Sequence, residues 1–371
     1  MTRKPKKKKP TVLLSGYYGF DNIGDEAVLA AIVQQLKQHL PGVPFVVLSN
    51  DPAATKRNHG VIAVNRWDWR AVRQAMKECG LFISGGGSLL QDVTSLKGLI
   101  FYIAQILLAR FYHKPVMIYA QGLGPLHGTI SRFMVRWTLN RCQAITWRDE
   151  HSLALAREIG VKRPMQVVCD PVLAWQPEET VLPDLPTGKK IAFSLRPWAG
   201  MEKDLAALTH LGDALAKQGY HIVLLPFHKD EDRNIQQQLA DTMSEPAFLL
   251  PDLPPASAWA VLGQMDLVVG MRLHALIMAA AQGVPSAALS YDPKVTAFMK
   301  ATGQQIAGYS GNLQPHSLVG AVSEALAAAS EEKKHLSTLA AGWREKAAKN
   351  SALAASLYQE QTGGVEVWQE A

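Results

Sequence analysis

Short apolar runs alternate with longer segments of helical periodicity along most of the chain. In the first half, the apolar runs predict strands at Thr11–Ser15, Phe45–Leu48, Leu81–Ile83, Val116–Tyr119, Ala144–Trp147 and Gln166–Cys169. Apolar residues three and four positions apart predict helices at Asp25–His39, Trp69–Glu78, Gly98–Tyr112, Thr129–Cys142 and Glu150–Ile159. This alternation indicates α/β architecture with parallel sheets.

A stretch rich in Pro and acidic residues, 170–190, interrupts the pattern and predicts a linker. A second series follows it. Its predicted strands are Lys190–Leu195, His221–Pro226, Ala247–Leu249, Leu267–Gly270 and Ser286–Leu289. Its predicted helices are Asp204–Gln218, Asp230–Met243, Ala256–Gly263 and Leu273–Gln282, and the Ala-rich segment 319–360 predicts one or two more.

The two series predict two Rossmann-like domains of similar length that face a central cleft, a GT-B-like arrangement. The expected divisions are a basic tail at 1–10, an N-terminal domain at 11–175, a linker at 176–189, a C-terminal domain at 190–340 and a helical extension at 341–371. Ligands of open α/β sheets bind beyond the carboxyl ends of the strands. Candidate site residues are therefore expected where a strand meets the following helix.

The charge distribution limits the choice of partners. The formal net charge is +6, and the first ten residues alone hold six cations, Arg3, Lys4 and Lys6–Lys9. Without them, 32 basic residues stand against 32 acidic ones, whereas a nucleic-acid-binding protein is expected to carry its basic excess on the folded surface. The basic arm predicts either a solubilising terminus or peripheral contact with an anionic membrane, at about 1 kcal/mol per cation.

Cysteine usage and the apolar runs predict a cytoplasmic location. The three cysteines lie far apart without the spacing of a metal or redox motif, and they are expected to be small buried residues in a reducing compartment. The basic start is followed by only four apolar residues, too few for a signal peptide. The longest apolar segment, Leu99–Ala109, is too short to span a bilayer, so we expect a core helix, with a membrane-touching helix as the alternative.

Glycine-rich junctions follow three strands of the first half. SGYYGFDNIGDE (15–26) contains Asn22 and Asp25, with Asp25 expected to cap the next helix or to bind hydroxyl groups. FISGGGSLLQD (82–92) places Gly86 and Gly87 where backbone N–H groups are open to a ligand. Further polar side chains that are suited to sugar hydroxyls follow in these junctions, namely Gln91, Asp92 and Gln121.

Cationic side chains follow other strands. Arg148 comes directly after Ala144–Trp147 and is interpreted either as a surface ion pair or as an anion-binding arginine. Arg272 and His274 enter a helix whose dipole they oppose, which predicts an uncompensated positive site awaiting an anion. Arg196, His228, Tyr291, Asp292 and Lys294 occupy similar positions after neighbouring strands.

Other chemistries find no support in the sequence. No HExxH motif or Asp-rich cluster predicts a metal site, and no GxSxG elbow predicts a serine nucleophile. No resident cofactor is expected.

The ordered set of motifs resembles the polysaccharide pyruvyltransferase family, and within it the bacterial members that act on secondary cell-wall polymers, which anchor S-layers. The motifs are GYYGFDNIGDEAVL, FISGGGSLLQD, AQGLGPL, TWRDE, CDPVL and GMRLHALIMAAAQGVPSAALSYDPKV, spread over residues 12–305. The resemblance implies a GT-B-like fold and phosphoenolpyruvate as the donor substrate. It also implies a 4,6-linked pyruvate ketal on a hexose, N-acetylmannosamine in this subfamily, of a lipid-linked precursor.

The resemblance also implies roles for individual residues. Arg148, Arg272 and His274 are expected to be catalytic. Because phosphoenolpyruvate carries a carboxylate and a phosphate and must gain a proton on its methylene carbon, we hypothesise that His274 is the general acid and that the arginines hold the two anionic groups. Donor binding is further expected from Arg196, Leu273, Tyr291 and Lys294 in the C-terminal domain. Acceptor binding is expected from the N-terminal junctions, at Asn22, Asp25, Gly86, Gly87, Gln91, Asp92 and Gln121. The general base remains open among Asp25, Asp92 and Asp170.

Two other functions stay open at this stage. A GT-B glycosyltransferase that uses a nucleotide sugar shares the expected fold, but the segment after His274 lacks the acidic residue that would hold a ribose. A non-catalytic sugar- or lipid-carrier-binding protein is the second alternative. Neutral glycans need few cations, so the crowding of Arg, His and Lys at one junction argues against it.

Overall fold

A computed structural model describes residues 9–93, 95–178 and 180–363. The cations of the basic arm lie outside these residues, apart from Lys9. By their contacts the residues form two compact units. The first contains the chain up to Phe20, Val28–Pro171 and the residues from Glu345 onward, and the second contains Asp21–Ala27 and Val172–Arg344. The sequence-based division places Asp21–Ala27 in the N-terminal domain, whereas their contacts group them with the second unit.

The first unit is built on a seven-stranded parallel sheet. Its strands are β1 (Thr11–Ser15), β2 (Phe45–Ser49), β3 (Ile62–Asn65), β4 (Cys79–Gly85), β5 (Val116–Gln121), β6 (Ala144–Trp147) and β7 (Met165–Val167), in the spatial order β3-β2-β1-β4-β5-β6-β7. The connecting helices are α1 (Ile23–His39), α2 (Pro52–His59), α3 (Trp69–Glu78), α4 (Leu96–Phe111), α5 (Thr129–Leu139) and α6 (Glu150–Glu158).

The second unit repeats this design with six parallel strands. They are β8 (Lys190–Ser194), β9 (His221–Leu224), β10 (Ala247–Leu249), β11 (Leu267–Gly270), β12 (Ser286–Ser290) and β13 (Gln305–Tyr309), in the order β10-β9-β8-β11-β12-β13. The helices are α7 (Met201–Lys217), α8 (Lys229–Thr242), α9 (Pro255–Leu262), α10 (Leu273–Ala281), α11 (Pro293–Ala301) and α12 (Pro315–Thr362). The prediction of an α/β chain with two Rossmann-like halves is confirmed.

Burial explains why the continuous apolar runs become central strands. Every residue of β2, β4 and β5 is buried, as a strand covered by helices on both faces requires. In each sheet the strand order reverses beside its first strand, between β1 and β4 and between β8 and β11. These switch points lie beside the junctions at which the sequence places the glycines and cations, and ligands of open α/β sheets bind there.

Four elements were not predicted from the sequence, and none of them shows a clear periodic pattern of apolar residues. β3 is partly exposed along its length and α2 buries only Thr55, so neither has a long apolar side. β13 is the edge strand of the second sheet, where four of its residues are partly buried and Tyr309 is exposed, and α11 precedes it along the chain. The interruption at 170–190 contains a short 3-10 helix, Pro171–Ala174, where the sequence predicted neither helix nor strand.

The Ala-rich end forms one helix of 48 residues, α12, rather than two shorter ones. Its residues from Glu345 onward belong to the first unit, where the Tyr358 hydroxyl donates a hydrogen bond to the Pro10 carbonyl at 2.6 Å. Within the described part of the chain, no helix is both long enough and apolar enough for a bilayer crossing.

Candidate functional site

The glycines after β4 form a bent loop at the switch point of the first sheet. Gly86 and Gly87 have φ values of +75° and +63°, which glycine adopts without the cost that a Cβ imposes. A Cβ at Gly86 would also stand 2.1 Å from Val28 Cγ1, so close packing requires glycine there as well. The Gly87 carbonyl accepts a hydrogen bond from the Gly122 N–H at 2.8 Å, which joins this loop to the one that follows β5.

Arg148 lies at the end of β6 and points into this pair of loops. Its side chain is only 6% exposed, and its guanidinium donates to Ser88 Oγ at 3.1 Å. It pairs with Asp149 at 3.4 Å and with Asp170 at 3.5 Å, both longer than the 2.7–2.9 Å typical of charge-assisted bonds. Arg148 is therefore a buried, loosely paired cation. The expected ion pair with the start of the helix is present, to Asp149, but it is not at the surface as that interpretation had it.

Gln121 ends β5 and is completely buried. Its Nε2 donates to Ser84 Oγ at 3.1 Å, while its Oε1 has no hydrogen-bond partner among the described residues. Leaving a buried amide oxygen without a donor costs about 1–3 kcal/mol. Gln121 thus offers an acceptor atom to a ligand, although its burial differs from the open sugar-contacting position expected from the sequence.

The polar side chains at the end of the second glycine-rich junction, Gln91 and Asp92, accept hydrogen bonds from backbone N–H groups of loops. Gln91 Oε1 accepts the Val93 N–H at 2.8 Å. Asp92 accepts the N–H groups of His127 and Gly128 at 2.9 Å. Burial raises the pKa of Asp92, but the hydrogen bonds from Gly128 and His127 outweigh this effect and lower it below its usual value. Asp92 is accordingly a weak base.

In the second unit, Arg272 is held by two acidic residues from the first turn of α8. Its Nε donates to Asp232 at 2.9 Å, its Nη2 donates to the same carboxylate, and Nη2 also lies 3.1 Å from Glu231. Asp232 is completely buried and also accepts the N–H groups of Phe227 and His228 at 3.0 and 2.9 Å. One carboxylate therefore fixes Arg272 and the loop after β9 together.

The expectation of an uncompensated positive site at the start of α10 is wrong. Burial lowers the pKa of Arg272, but the hydrogen bonds and charges of Asp232 and Glu231 raise it above its usual value. For Glu231, burial raises the pKa and the Arg272 hydrogen bond lowers it, with a net shift downward. The compensating acids are forty residues away in the sequence, so local sequence reasoning does not reveal them.

His274 lies in the first turn of α10 against the start of α1. A Cβ built on Gly24 would stand 2.3 Å from His274 Nδ1 and 2.6 Å from its Cγ, so only glycine admits the imidazole. The start of α1 is held by the Ile23 N–H, which donates to the Phe227 carbonyl at 2.9 Å. Asn22 forms a β-bridge with His228 in the same segment. These contacts group Asn22 and Gly24 with the second unit.

The helix cap at this junction is also different from the prediction. α1 begins at Ile23, and Asn22 Oδ1 accepts the Gly24 N–H at 3.0 Å. Asn22 is thus the capping residue, and Asp25 lies inside the first turn, where its charge favours the helix dipole.

Of the remaining predicted donor residues, Arg196 and Tyr291 contact one another at the carboxyl ends of β8 and β12. Arg196 Nη1 donates to the Tyr291 hydroxyl at 3.1 Å, and the charges of Arg196 and His228 act on Glu231. Tyr291 also lines a pocket of about 620 Å³ beside β12 and β13. Lys294 is farther along α11 and pairs with Asp292 at 3.2 Å.

Leu273 is the first residue of α10, and its side chain is buried. Only its backbone N–H, in the helix turn whose N–H groups lack intrahelical acceptors, is suited to a ligand.

Sequence reasoning missed three residues that organise these clusters: Ser88, Glu231 and Asp232. Ser88 follows the three glycines and contacts Arg148. Glu231 and Asp232 belong to the acidic start of α8, a pattern that helix N-termini commonly show. The sequence signal that could have identified Glu231 and Asp232 is their position shortly after β9, in the same junction as the candidate residue His228.

Comparison with known proteins gives a family match. The sequence model of one family, described as polysaccharide pyruvyl transferase, matches residues 22–293, more than half of the chain. The match includes Arg148, Arg196, Arg272, His274 and Tyr291.

Solved structures support the fold. A putative UDP-N-acetylglucosamine 2-epimerase from Listeria monocytogenes has a TM-score of 0.67 at 12% identity, with 95% of this chain and 97% of that chain covered. The UDP-GlcNAc 2-epimerase from Neisseria meningitidis, bound to UDP-GlcNAc, has a TM-score of 0.61 at 12% identity, covering 94% and 100%. Anabaena HepE in complex with UDP and glucose has a TM-score of 0.55 at 14% identity, covering 96% and 100%. The structural similarity over nearly the whole chain shows a shared GT-B-like fold, as predicted, and at such low identities it shows the fold alone.

Proposed function

Because the chain belongs to the polysaccharide pyruvyl transferase family, we propose that it moves the pyruvate unit of phosphoenolpyruvate onto a hexose of a lipid-linked cell-wall polymer precursor. The product is a 4,6-linked pyruvate ketal, on N-acetylmannosamine as the proposed sugar, and inorganic phosphate leaves. Pyruvyl transfer is the activity of the family; the donor, the acceptor and the ketal are the proposal.

The observation that carries the proposal is the environment of His274 and Arg272 at the start of α10. His274 is seated on Gly24, whose missing side chain leaves room for the imidazole. Arg272 is fixed by Asp232 through both Nε and Nη2. A proton donor and a rigid cation at the N-terminus of a helix suit a substrate that carries a phosphate and must accept a proton.

Arg272 is proposed to stabilise the departing phosphate, with Arg196 and Lys294 as further donor-binding cations. Its ion pair with Asp232 does not exclude this role. A guanidinium has five N–H groups, and the Asp232 and Glu231 contacts use only Nε and Nη2. Arg148, on the first unit, is proposed as another anion-binding arginine, since its own acidic partners lie at 3.4 and 3.5 Å.

The proposed reaction balances in two stages. His274 gives a proton to the methylene carbon of phosphoenolpyruvate, and a sugar hydroxyl forms a bond to C2. The bond from C2 to the phosphate oxygen then breaks, and the second hydroxyl closes the ketal. Of the two hydroxyl protons, one replaces the proton on the imidazole and the other leaves with phosphate.

The base that receives the first hydroxyl proton and passes it on to the imidazole is proposed to be Asp25. It directly follows Gly24, which lies against His274. Asp92 is less suited, because two backbone N–H groups stabilise its ionised form. Asp170 is paired with Arg148.

The proposal is tested by incubating the chain with phosphoenolpyruvate and a lipid-linked or synthetic disaccharide acceptor. Mass spectrometry should detect the pyruvate ketal, and a colorimetric assay should detect phosphate in equal amount. His274→Gln should abolish turnover, while the variant should still bind phosphoenolpyruvate. Near-normal turnover of this variant would contradict the assignment of His274 as the proton donor. Turnover of Asp25→Asn and Asp170→Asn distinguishes the candidate bases: if Asp25 is the base, turnover should be lost in the first variant and retained in the second.

A glycosyltransferase reaction with a nucleotide sugar is the competing activity, since two of the similar structures hold UDP or a UDP sugar. The thermal unfolding midpoint is measured with phosphoenolpyruvate, UDP and UDP-N-acetylglucosamine in separate samples. A ligand that binds only the folded chain raises the midpoint. Phosphoenolpyruvate is expected to raise it. A rise with the nucleotides alone would contradict the proposed donor.

A further inference from the structure

The first unit exposes an apolar surface on two neighbouring helices, α4 and α5. The exposed side chains of this surface, here the α4–α5 face, are Leu96, Ile100, Phe111, Ile130, Phe133 and Trp137. Three of them are mostly open to solvent, with exposures of 72% for Phe111, 70% for Ile130 and 55% for Phe133. Single exposed apolar residues are ordinary, but a cluster of this kind on adjacent helices marks an interaction surface.

On each helix the exposed residues share one side. On α4, Leu96 and Ile100 are four positions apart, and Phe111 lies eleven positions, or about three helical turns, beyond Ile100. The opposite side of α4 is buried in the core through Leu99, Tyr102, Ile103, Ile106 and Ala109. A helix that is apolar on most sides is normally enclosed on most sides, whereas α4 leaves Leu96, Ile100 and Phe111 exposed. On α5, Ile130, Phe133 and Trp137 share one side by the same spacing.

The segment that carries the α4–α5 face is rich in cations and has no acidic residue of its own, although Arg132 pairs with Glu158 of α6 at 2.6 Å. Between Asp92 and Asp149 the chain contains no Asp or Glu, but it contains seven Lys and Arg residues. Apart from Arg148, which belongs to the candidate site, these are Lys97, Arg110, Lys114, Arg132, Arg136 and Arg141. The Arg136 guanidinium lies 5.5 Å from the Phe133 ring centroid, and that of Arg141 lies 3.5 Å from the Trp137 ring centroid. Cations therefore stand directly beside exposed aromatic rings.

We propose that the α4–α5 face binds an anionic lipid bilayer, with its apolar and aromatic side chains in the interface and its cations on the lipid headgroups. Interfacial helices combine Trp, Phe and Leu with Lys and Arg in this way. Aromatic rings and the stems of long basic side chains bury apolar atoms while their polar ends stay at the headgroups. The α4–α5 face is defined by residues 96–141 and includes none of the cations Arg3–Lys9.

Charge decides between a bilayer and a second copy of the chain as the occupant. In a twofold dimer the face would meet itself, so its cations would oppose cations of the same sign. Neither α4 nor α5 contains an acid, and Arg132 alone among these cations has an ion pair in the described residues, with Glu158 of α6. Like charges across an interface cost several kcal/mol, whereas each cation near an anionic leaflet gains about 1 kcal/mol. The bilayer is the favoured partner.

The proposal is tested by sedimentation of the full-length chain with vesicles, without any substrate. Vesicles of phosphatidylcholine mixed with phosphatidylglycerol should carry the chain down, and vesicles of pure phosphatidylcholine should do so far less. Added salt should weaken the binding, because ions screen the headgroup charge. Since no substrate is present, the result is independent of the proposed pyruvyl transfer.

Two double variants examine the two components of the face. Ile130→Ser with Phe133→Ser, and separately Arg136→Gln with Arg141→Gln, should each lower the partition coefficient about tenfold or more. All four side chains are exposed, so thermal unfolding should be unchanged. The matched control is Ile62→Ser with Phe248→Ser, which removes two exposed apolar side chains outside the face and should keep wild-type binding.

Three outcomes overturn the proposal. One is equal vesicle binding by all variants. Another is complete loss of binding when Lys6–Lys9 are replaced by Gln, with both face variants unaffected. The third is a change from dimer to monomer in light scattering of the Ile130–Phe133 variant, without a change in vesicle binding, because a second copy would then cover the face.

Discussion

Asp232→Asn should destabilise the second unit strongly, although Asp232 belongs to no recognisable sequence motif. The completely buried carboxylate accepts four hydrogen bonds, from the N–H groups of Phe227 and His228 and from Nε and Nη2 of Arg272. Asn has one acceptor oxygen, and its amide N–H groups would face other donors. The variant therefore leaves donors unpaired and removes the main counter-charge of Arg272, whose side chain is only 12% exposed.

The size of the effect follows from these losses. Breaking a buried ion pair on one side costs about 3–5 kcal/mol, because the remaining charge is left uncompensated. Glu231 still lies 3.1 Å from Arg272 Nη2, which places the expected loss near the lower limit, about 3 kcal/mol. The control, Glu231→Gln, removes a partner that is 51% exposed and should cost about 0–1 kcal/mol.

Hydrogen exchange followed by mass spectrometry measures this difference within the second unit. Peptides that contain β8 and β11 are suitable, because the Met271 N–H donates to the Ser194 carbonyl beside Arg272. A loss of about 3 kcal/mol speeds exchange of their protected amides about 100-fold. Equal exchange rates in Asp232→Asn and Glu231→Gln would refute the view that Asp232 is the principal support of Arg272.

Three further predictions follow from the same geometry. Gly24→Ala should displace His274, because the new Cβ would lie 2.3 Å from the imidazole Nδ1, and the rate of pyruvyl transfer should fall about 100-fold. The control is Gly320→Ala, whose Cβ would have no atom within 4 Å. Full activity of the Gly24 variant would contradict this packing. Burial raises the pKa of Glu231 and the Arg272 hydrogen bond lowers it, with a net shift downward, so their pairing should stabilise the fold above the ordinary glutamate value of 4.5 and be lost as pH falls through the lower folded pKa. Urea midpoints of wild type and Glu231→Gln should therefore differ above pH 4.5 and converge only below the folded pKa of Glu231. Burial raises the pKa of each thiol to about 12, so a thiol reagent at neutral pH should label none of the cysteines in the folded chain and all three in urea: Cys79, Cys142 and Cys169.

The sequence by itself determined the fold class and the positions of the reactive groups along the chain. Strand and helix periods are local, so strands such as β1, β6 and β11 were predicted with their observed bounds. Residues directly after strands must lie at the carboxyl edge of a parallel sheet. For that reason Arg148, Arg272 and His274 are recognisable as candidates from the sequence alone.

Only the tertiary structure decided what surrounds those groups. His274 and Gly24 are separated by 250 positions in the sequence, yet the imidazole is seated on that glycine. Arg272 looked like a cation without compensation, and the fold supplies the carboxylate of Asp232. The apolar segment of α4 gave no sign of which side would be covered, because a helix that is apolar all round has no amphipathic direction. Packing on the sheet made that choice and left Ile100 and Phe111 on the outside.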